Sequence, residues 1–146
     1  MAGDSSARTS KNGLRQFAYL TIPATVEAIS QATDRLHAIL AQLEIAEDKR
    51  QEIGLALQEA LANAVVHGCQ KDPSKTVSCR LCCDPQGRVL ITVADPGAGF
   101  DPDAVPDPLN GNNRLATHGR GIYLIRQLMD EVRFENGGSE IHMWKY

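Results

Sequence analysis

Two polar side chains interrupt an apolar stretch, EALANAVVHG, at residues 59–68. Glu59 and Asn63 stand four positions apart, which places them on one face of a helix, about one turn from each other. A carboxylate accepts hydrogen bonds, and an amide both donates and accepts them, so the pair is suited to holding a polar ligand. His67 follows in the same row one turn later. This row of side chains is the first candidate site in the chain.

The row lies at the edge of the apolar face of its helix. On an ideal wheel of about 100° per residue, Glu59 and Asn63 are about 40° apart and border a broad apolar arc. The arc consists of Ile53, Leu57, Ala60, Leu61, Ala64 and Val65. A helix edge of this kind can form one wall of a cleft, but it can equally be a solvated border with no function. A functional site therefore requires other segments to meet this helix.

The segment DPGAGF, at residues 95–100, directly follows an expected strand. Glycines at positions 97 and 99 would let the backbone approach a ligand closely. Asp95, at the strand end, can accept a hydrogen bond from an amino group such as the exocyclic amine of adenine. The alternative for this segment is a plain turn.

A second glycine segment, HGRGI at residues 118–122, is expected at the start of a helix. The free N–H groups of a helix N-terminus bind anions, and glycines keep such a site open. A lone G-x-G is weak evidence, because it often marks an ordinary turn. The chain has no G-K-[ST] sequence and no βαβ context at this point, which excludes a P-loop and argues against a dinucleotide-binding site.

The elements that must position these segments follow from hydrophobic periodicity. The pattern predicts strands at 17–22, 76–83, 88–95, 132–135 and 140–145, and helices at 25–43, 47–67 and 121–132. Between Pro96 and Gly121 the chain is rich in proline and glycine, which is typical of a binding loop or lid. This order predicts an α+β fold: a two-layer sandwich with a mainly antiparallel sheet and helices on one face.

Composition narrows the class of protein. The chain has 146 residues and a net charge of -3, which suits one domain and argues against a nucleic-acid binder. No apolar run is long enough for a membrane span, and the polar start does not resemble a secretory signal, so we expect a cytoplasmic protein. Residues 1–16 are expected to form a polar, disordered tail, and residues 17–146 the folded domain.

The four cysteines stand at positions 69, 79, 82 and 83. Cys79 and Cys82 form a C-x-x-C, but the alternation in TVSCRLCCD puts them on opposite faces of a strand. No second pair of cysteines or histidines completes a set of four zinc ligands. Buried free thiols are therefore favoured over a metal site.

Taken in order, three motifs resemble those of the histidine-kinase-like ATPases, the GHKL or Bergerat fold. They are ExxxN on a helix, DxGxG after a strand, and GxGI opening a later helix. The resemblance covers nearly the whole chain from residue 17 onward. Within the superfamily the chain is most similar to small single-domain anti-sigma factors with serine-protein kinase activity. The stretches LTIPAT, IGLALQEALANAVVHG, DPGAGFDP and HGRGIYLIRQLMDEVRF carry that similarity.

The resemblance implies a Mg²⁺-dependent site for ATP or ADP. Asn63 would hold Mg²⁺ through its amide oxygen, and Glu59 would act as general base towards a seryl hydroxyl. Asp95 would recognise adenine, and the two neighbouring glycines, Gly97 and Gly99, would pack against the base. Ser139 would support the adenine pocket.

The phosphates of the nucleotide would be bound at the start of the third helix. The resemblance assigns this role to Gly119, Arg120, Gly121 and Ile122, with His67 contacting ATP from the row on the second helix. A lid is implied at about residues 101–118.

The partners implied by the resemblance are an anti-anti-sigma antagonist protein, a sigma factor or other partner-switch target, and a second copy of the chain in a homodimer. No nucleic acid and no membrane are expected as partners. Two alternatives stay open at this point: a nucleotide-gated binding module without kinase activity, and a domain that binds no nucleotide.

Overall fold

The computed structural model describes residues 13–97 and 117–146. Its elements, in chain order, are β1 (Arg15–Pro23), α1 (Val26–Gln42), α2 (Glu47–Asn63), β2 (Thr76–Cys83), β3 (Val89–Ala94), α3 (Thr117–Leu128), β4 (Glu131–Glu135) and β5 (Glu140–Lys145). This is the predicted order. Gly99 and nearly all of the expected lid at 101–118 lie outside the described residues; the last two lid positions open α3.

The described strands form one antiparallel sheet in the order β1-β2-β3-β5-β4. Along β2, buried residues alternate with more exposed ones, so within the described residues one face of the sheet packs against the core. Val77 and Leu81 on that face are fully buried in the main core cluster, together with residues of α1 and α2. The predicted two-layer α+β sandwich with helices on one face is confirmed.

The two long helices cover this face. The side chain of Thr25 caps α1 by accepting a hydrogen bond from the Ala28 N–H at 3.3 Å, as its residue type favours. Helix α2 packs between α1 and α3. The predicted apolar arc of α2 is buried throughout its length. This packing leaves the polar row of α2 at the border of the core.

The third helix begins earlier than predicted. The expected bounds of 121–132 are wrong, since α3 spans Thr117–Leu128 and Val132 belongs to β4. Glycine disfavours a helix by about 1 kcal/mol per residue, so the local sequence predicts a loop up to residue 121. Burial of Ile122 and Ile125 against the rest of the core outweighs this preference.

The cysteines of β2 follow the predicted alternation. Cys79 and Cys83 are buried on the core face, whereas Cys82 lies on the opposite face and is partly exposed. Burial raises the pKa of the Cys79 thiol to about 12, so it stays protonated at neutral pH. Within 13–97 and 117–146, no three His, Cys, Asp or Glu side chains are grouped closely enough to hold a metal ion.

The length and hydropathy of the helices decide whether one of them could span a membrane. Over the part of the chain that the structure describes, none combines the length and the apolar character that crossing a bilayer requires.

Candidate functional site

The last turns of α2 carry the polar row. Glu59 and Asn63 are partly buried, as expected at the border of the apolar arc. Directly after Asn63 the chain continues as a π-helical turn, Ala64–Gly68, in which the Cys69 N–H donates to the Ala64 carbonyl at 2.8 Å. Single π turns are frequent at functional sites, because the wider turn redirects the residues that follow it.

Helix α3 reaches this row at Gly121. A Cβ atom added to Gly121 would lie 3.1 Å from Glu59 Oε2, and 3.2 and 3.3 Å from the two side-chain polar atoms of Asn63. A larger residue would therefore press on both polar side chains. The structure thus brings together the predicted pair on α2 and the predicted glycine on α3, which are separated by more than 50 residues in the chain.

Asp95 follows β3 and is held on two sides. Its backbone N–H donates to the Ser139 carbonyl at 3.0 Å, and its Oδ1 accepts a hydrogen bond from the Gly97 N–H at 2.7 Å. Burial raises the pKa of Asp95, and the hydrogen bond from Gly97 offsets this only in part. A carboxyl group with so little compensation is suited to accepting a donor from a ligand.

Gly68 and Gly97 bring the end of α2 to Asp95. The carboxyl group of Asp95 occupies the space that a Cβ of Gly68 would need. A Cβ on Gly97 would lie 2.5 Å from the Gly68 carbonyl oxygen and 2.8 Å from Asp95 Oδ1. A side chain at either position would therefore displace the Asp95 carboxyl group or the Gly68 backbone. As a result, Asp95 sits at the end of the same helical segment that carries Glu59 and Asn63.

The other predicted site residues are placed as follows. Ser139 is partly buried next to Asp95, but its hydroxyl donates to the Asn136 carbonyl at 3.0 Å within its own turn, and its contact with Asp95 is made by the backbone. Arg120 and His67 are exposed, and Ile122 is buried. Gly119 lies in the first turn of α3. Gly99 falls outside the described residues.

Because α3 starts at Thr117, Gly121 lies in its second turn and not at its open end. The free N–H groups of a helix belong to its first turn, so in this structure they precede Gly121. The expected anion site at a helix terminus at Gly121 needs this correction. What Gly121 provides is a close approach of backbone to Glu59 and Asn63.

From the sequence, Gly68 is only the residue that follows the predicted helix at 47–67. Its contact with Asp95 joins positions that are 27 residues apart, and no local pattern reports it. The available signal was a glycine one turn beyond Asn63, where an alanine would serve a helix better.

Comparisons with known proteins identify the family of the chain. A family model described as "Histidine kinase-like ATPase domain" matches residues 22–145, which include all the described site residues. This chain belongs to that family. The match runs from β1 to β5, so the family assignment concerns the whole described fold.

Two curated relatives match most of the chain. The serine-protein kinase RsbW of Bacillus subtilis (strain 168) is 31% identical over 134 residues, covering 87% of this chain and 83% of the relative. The anti-sigma F factor of Geobacillus kaustophilus (strain HTA426) is 32% identical over 138 residues, covering 91% of this chain and 94% of the relative.

Two solved structures share the fold. The RsbU and RsbW domains of Rv1364c from Mycobacterium tuberculosis match with a TM-score of 0.62 at 20% identity, over 88% of this chain and 31% of that longer chain. The histidine kinase domain of the blue-light activated kinase from Erythrobacter litoralis matches with a TM-score of 0.51 at 19% identity, over 80% of this chain and 60% of that chain.

Proposed function

We propose that this protein is an ATP-binding anti-sigma regulatory factor that phosphorylates a serine on an anti-anti-sigma antagonist protein and switches between that antagonist and a sigma factor. The observation that carries the proposal is the convergence of Glu59, Asn63 and Gly121 on one side of α2, with Asp95 at the end of the same segment. Relatives named as a serine-protein kinase and an anti-sigma F factor, at 31% and 32% identity, support the class of reaction.

The adenine of ATP is assigned to the Asp95 end of the site. A carboxylate there accepts a hydrogen bond from the exocyclic amine of adenine. The family resemblance assigns Gly97 and Gly99 to packing against the base. The turn containing Ser139 fixes the Asp95 backbone through the bond between the Asp95 N–H and the Ser139 carbonyl.

The phosphates of ATP are assigned to the region between α2 and the start of α3. The free backbone N–H groups at the start of α3, up to Gly119, would bind anionic oxygens, with Arg120 directly after them. In the second turn of α3, Gly121 permits the close approach to α2, and Ile122 is buried in the core. His67, which is exposed in the π turn, is also assigned to contact ATP.

The side chains beside Gly121 also fit a magnesium ion. Mg²⁺ prefers oxygen ligands and usually keeps several waters, so one amide oxygen from Asn63, together with phosphate oxygens, is a sufficient set. When bound, the ion would neutralise charge on the phosphates. A Cβ on Gly121 would crowd both polar atoms of the Asn63 side chain, so the glycine keeps the amide oxygen free of that contact.

Glu59 is assigned as the general base. Phosphoryl transfer depends mainly on positioning and charge neutralisation, so the carboxylate need only take the proton from the attacking seryl hydroxyl. General-base help of this kind contributes about 10²–10⁴-fold in rate, or about 2.7–5.5 kcal/mol of barrier. Its position one turn before Asn63 would bring the hydroxyl close to the terminal phosphate of ATP.

The proposal is tested by separating binding from transfer. Asn63→Ala should abolish Mg-ATP binding in isothermal titration. Glu59→Ala should keep binding and lose transfer of radiolabelled phosphate to a serine-containing antagonist protein. The matched control is Gln58→Ala, an exposed neighbour on the same helix, which should retain both. Full kinase activity of Glu59→Ala would refute the base assignment, and ATP binding by the wild type without any transfer would favour a nucleotide-gated binding module.

The partner assignments follow from the same proposal. An anti-sigma role requires access to the transcription machinery and so implies a cytoplasmic protein. A homodimer is part of the proposal on family grounds, and sedimentation with and without Mg-ATP would test it.

A further inference from the structure

Gly68 is the last residue of the π turn that follows α2. The space that a side chain at this position would fill is occupied by another residue. The three heavy atoms nearest to a Cβ built on Gly68 are Cγ, Oδ2 and Oδ1 of Asp95, and even Oδ1 is only 2.5 Å away. Real Cβ atoms are not found at such distances. The carboxyl group of Asp95 therefore lies directly on the backbone of Gly68.

This contact fixes the direction of the Asp95 carboxyl group. Oδ1 is held by the Gly97 N–H at 2.7 Å, and the Asp95 backbone is held by Ser139 at 3.0 Å. Gly97 itself packs against the Gly68 carbonyl. A Cβ added to Gly97 would lie only 2.5 Å from the Gly68 carbonyl oxygen. Gly68 thus contacts both Asp95 and the residue that donates to it, and no side chain at 68 can be added without moving one of them.

We propose that Gly68 is a positioning residue that makes the site selective for a purine carrying an exocyclic amine. This deepens the proposed function and rests on Asp95 being the group that meets the base. A carboxylate only accepts hydrogen bonds, so it attracts an amine and repels a carbonyl oxygen at the same place on the ring. That discrimination depends on the angle at which the carboxylate is held, and Gly68 sets it.

The position of Gly68 also relates the base to the phosphates. It lies five residues after Asn63 on one continuous helical segment. The Asp95 carboxyl group, which selects the base, is therefore positioned by the same helical segment that carries Glu59 and Asn63. That pair is assigned to the phosphate end of the site.

The test compares two ligands on one variant. In the wild type, Mg-ATP should bind roughly 10- to 100-fold more tightly than the Mg complex of purine riboside triphosphate, which lacks the 6-amine, as expected for one hydrogen bond to a charged group. Gly68→Ala should reduce this ratio to about 1–3, chiefly by weakening ATP. An unchanged ratio, even with weaker binding of both nucleotides, would show a merely structural role and overturn the inference.

A matched control exists on the same helix. Gly54 lies inside α2, and a Cβ added there would meet only His37 Nδ1 at 3.8 Å, an ordinary contact. Gly54→Ala should keep the wild-type ratio and be at least as stable as the wild type, because alanine is favoured in a helix interior. Loss of the ratio in this control would mean that any change in α2 alters selectivity, which would also overturn the inference.

A double variant covers the case in which Gly68→Ala does not fold. With Asp95→Ala in the background, the space needed by the new methyl group is vacated. Gly68→Ala/Asp95→Ala should then match Asp95→Ala in thermal unfolding and in affinity for both nucleotides, a full loss of additivity. If the double variant is clearly less stable than Asp95→Ala, groups other than the Asp95 carboxyl require glycine at position 68. That result would overturn the inference.

Failure of the proposed function and failure of the role given to Gly68 would give different experimental results. A wild type that binds neither nucleotide removes the proposed function and, with it, the inference. A wild type that prefers ATP, beside a folded Gly68→Ala protein with the same preference, leaves the proposed function standing and overturns only the role of Gly68.

Discussion

Asp84 and Asp95 each follow the end of a strand, and their pKa values are shifted in opposite directions. The difference distinguishes a structural carboxylate from one suited to a ligand. Burial would raise the pKa of Asp84, but the N–H groups of Gln86 and Arg88 and the Arg88 guanidinium outweigh it and lower the pKa. At Asp95 burial prevails and the pKa is raised, since only Gly97 offsets it. Asp84 is thus satisfied by its own turn, whereas Asp95 is stabilised less than its burial demands.

The raised pKa of Asp95 predicts a trade-off between stability and binding. The folded state binds more protons than the unfolded state between pH 3.8, the ordinary pKa, and the raised value, so stability falls as pH rises through this window. Asp95→Asn removes the charge, and we expect it to abolish that fall and to leave the nucleotide-free protein at least as stable as the wild type at pH 7. Urea unfolding between pH 3.5 and 7 measures this.

The same variant should lose ATP affinity, because an amide cannot replace the carboxylate as a pure acceptor. The wild type at each pH is the control for the unfolding series. A variant less stable than the wild type at pH 7 would show that the Asp95 carboxylate stabilises the fold, contrary to its pKa shift.

At the scale of elements, α2 is the organising helix. It packs between α1 and α3, buries its apolar arc in the core, and presents Glu59 and Asn63 to Gly121. Helix α3 is fixed at its other end by Lys145 of β5, whose Nζ donates to the Leu128 carbonyl at 2.7 Å and pairs with Glu52 of α2 at 3.3 Å. This cation lies at the C-terminus of α3, where the helix dipole favours positive charge.

Lys145 is therefore expected to hold α3 against α2. Lys145→Met keeps the apolar stem but loses the charged donor, and we expect it to lower the free energy of unfolding by about 1–2 kcal/mol. The control is Glu52→Gln, which should cost less than about 1 kcal/mol, because an exposed ion pair contributes little; the Glu52 side chain is 41% exposed. Equal losses in the two variants would assign the effect to the ion pair and contradict the role given to the α3 carbonyl.

At the scale of the whole molecule, the candidate site lies at one end of the helical layer. The end of β3, the π turn after α2 and the first turns of α3 meet there, and the turn before β5 supports Asp95 from the sheet side. The site is thus assembled from parts of both layers of the sandwich. A ligand bound there would connect both layers and would stabilise the folded protein against unfolding.

Mg-ATP should accordingly stabilise the whole domain. A ligand at 100 times its dissociation constant adds about 2.7 kcal/mol to the free energy of unfolding if it binds only the folded state. A thermal-shift titration with Mg-ATP measures this, with Mg-GTP and Asn63→Ala as controls that should give a much smaller shift. The absence of any shift with Mg-ATP at millimolar concentration would contradict nucleotide binding.

Much of the fold follows from local periodicity. The apolar arc of α2 repeats with the period of a helix, and TVSCRLCCD alternates with the period of a strand, so both elements were predicted within a few residues. Asn136-Gly137-Gly138 favours positive φ, and all three residues adopt it between β4 and β5. The grouping of Glu59 and Asn63 on one helix edge follows in the same way, because side-chain direction within a helix depends only on spacing.

Other features depend on contacts between distant segments. The start of α3 at Thr117 contradicts the local preference of a glycine-rich sequence and is decided by burial of Ile122 and Ile125. The approach of Gly121 to Glu59 and Asn63, and that of Gly68 to Asp95, depend on how α2 packs against α3 and the end of β3. The local sequence pattern determines the direction of a side chain within its helix or strand. Which residue fills the space beside a glycine is determined only by the packing of the whole core.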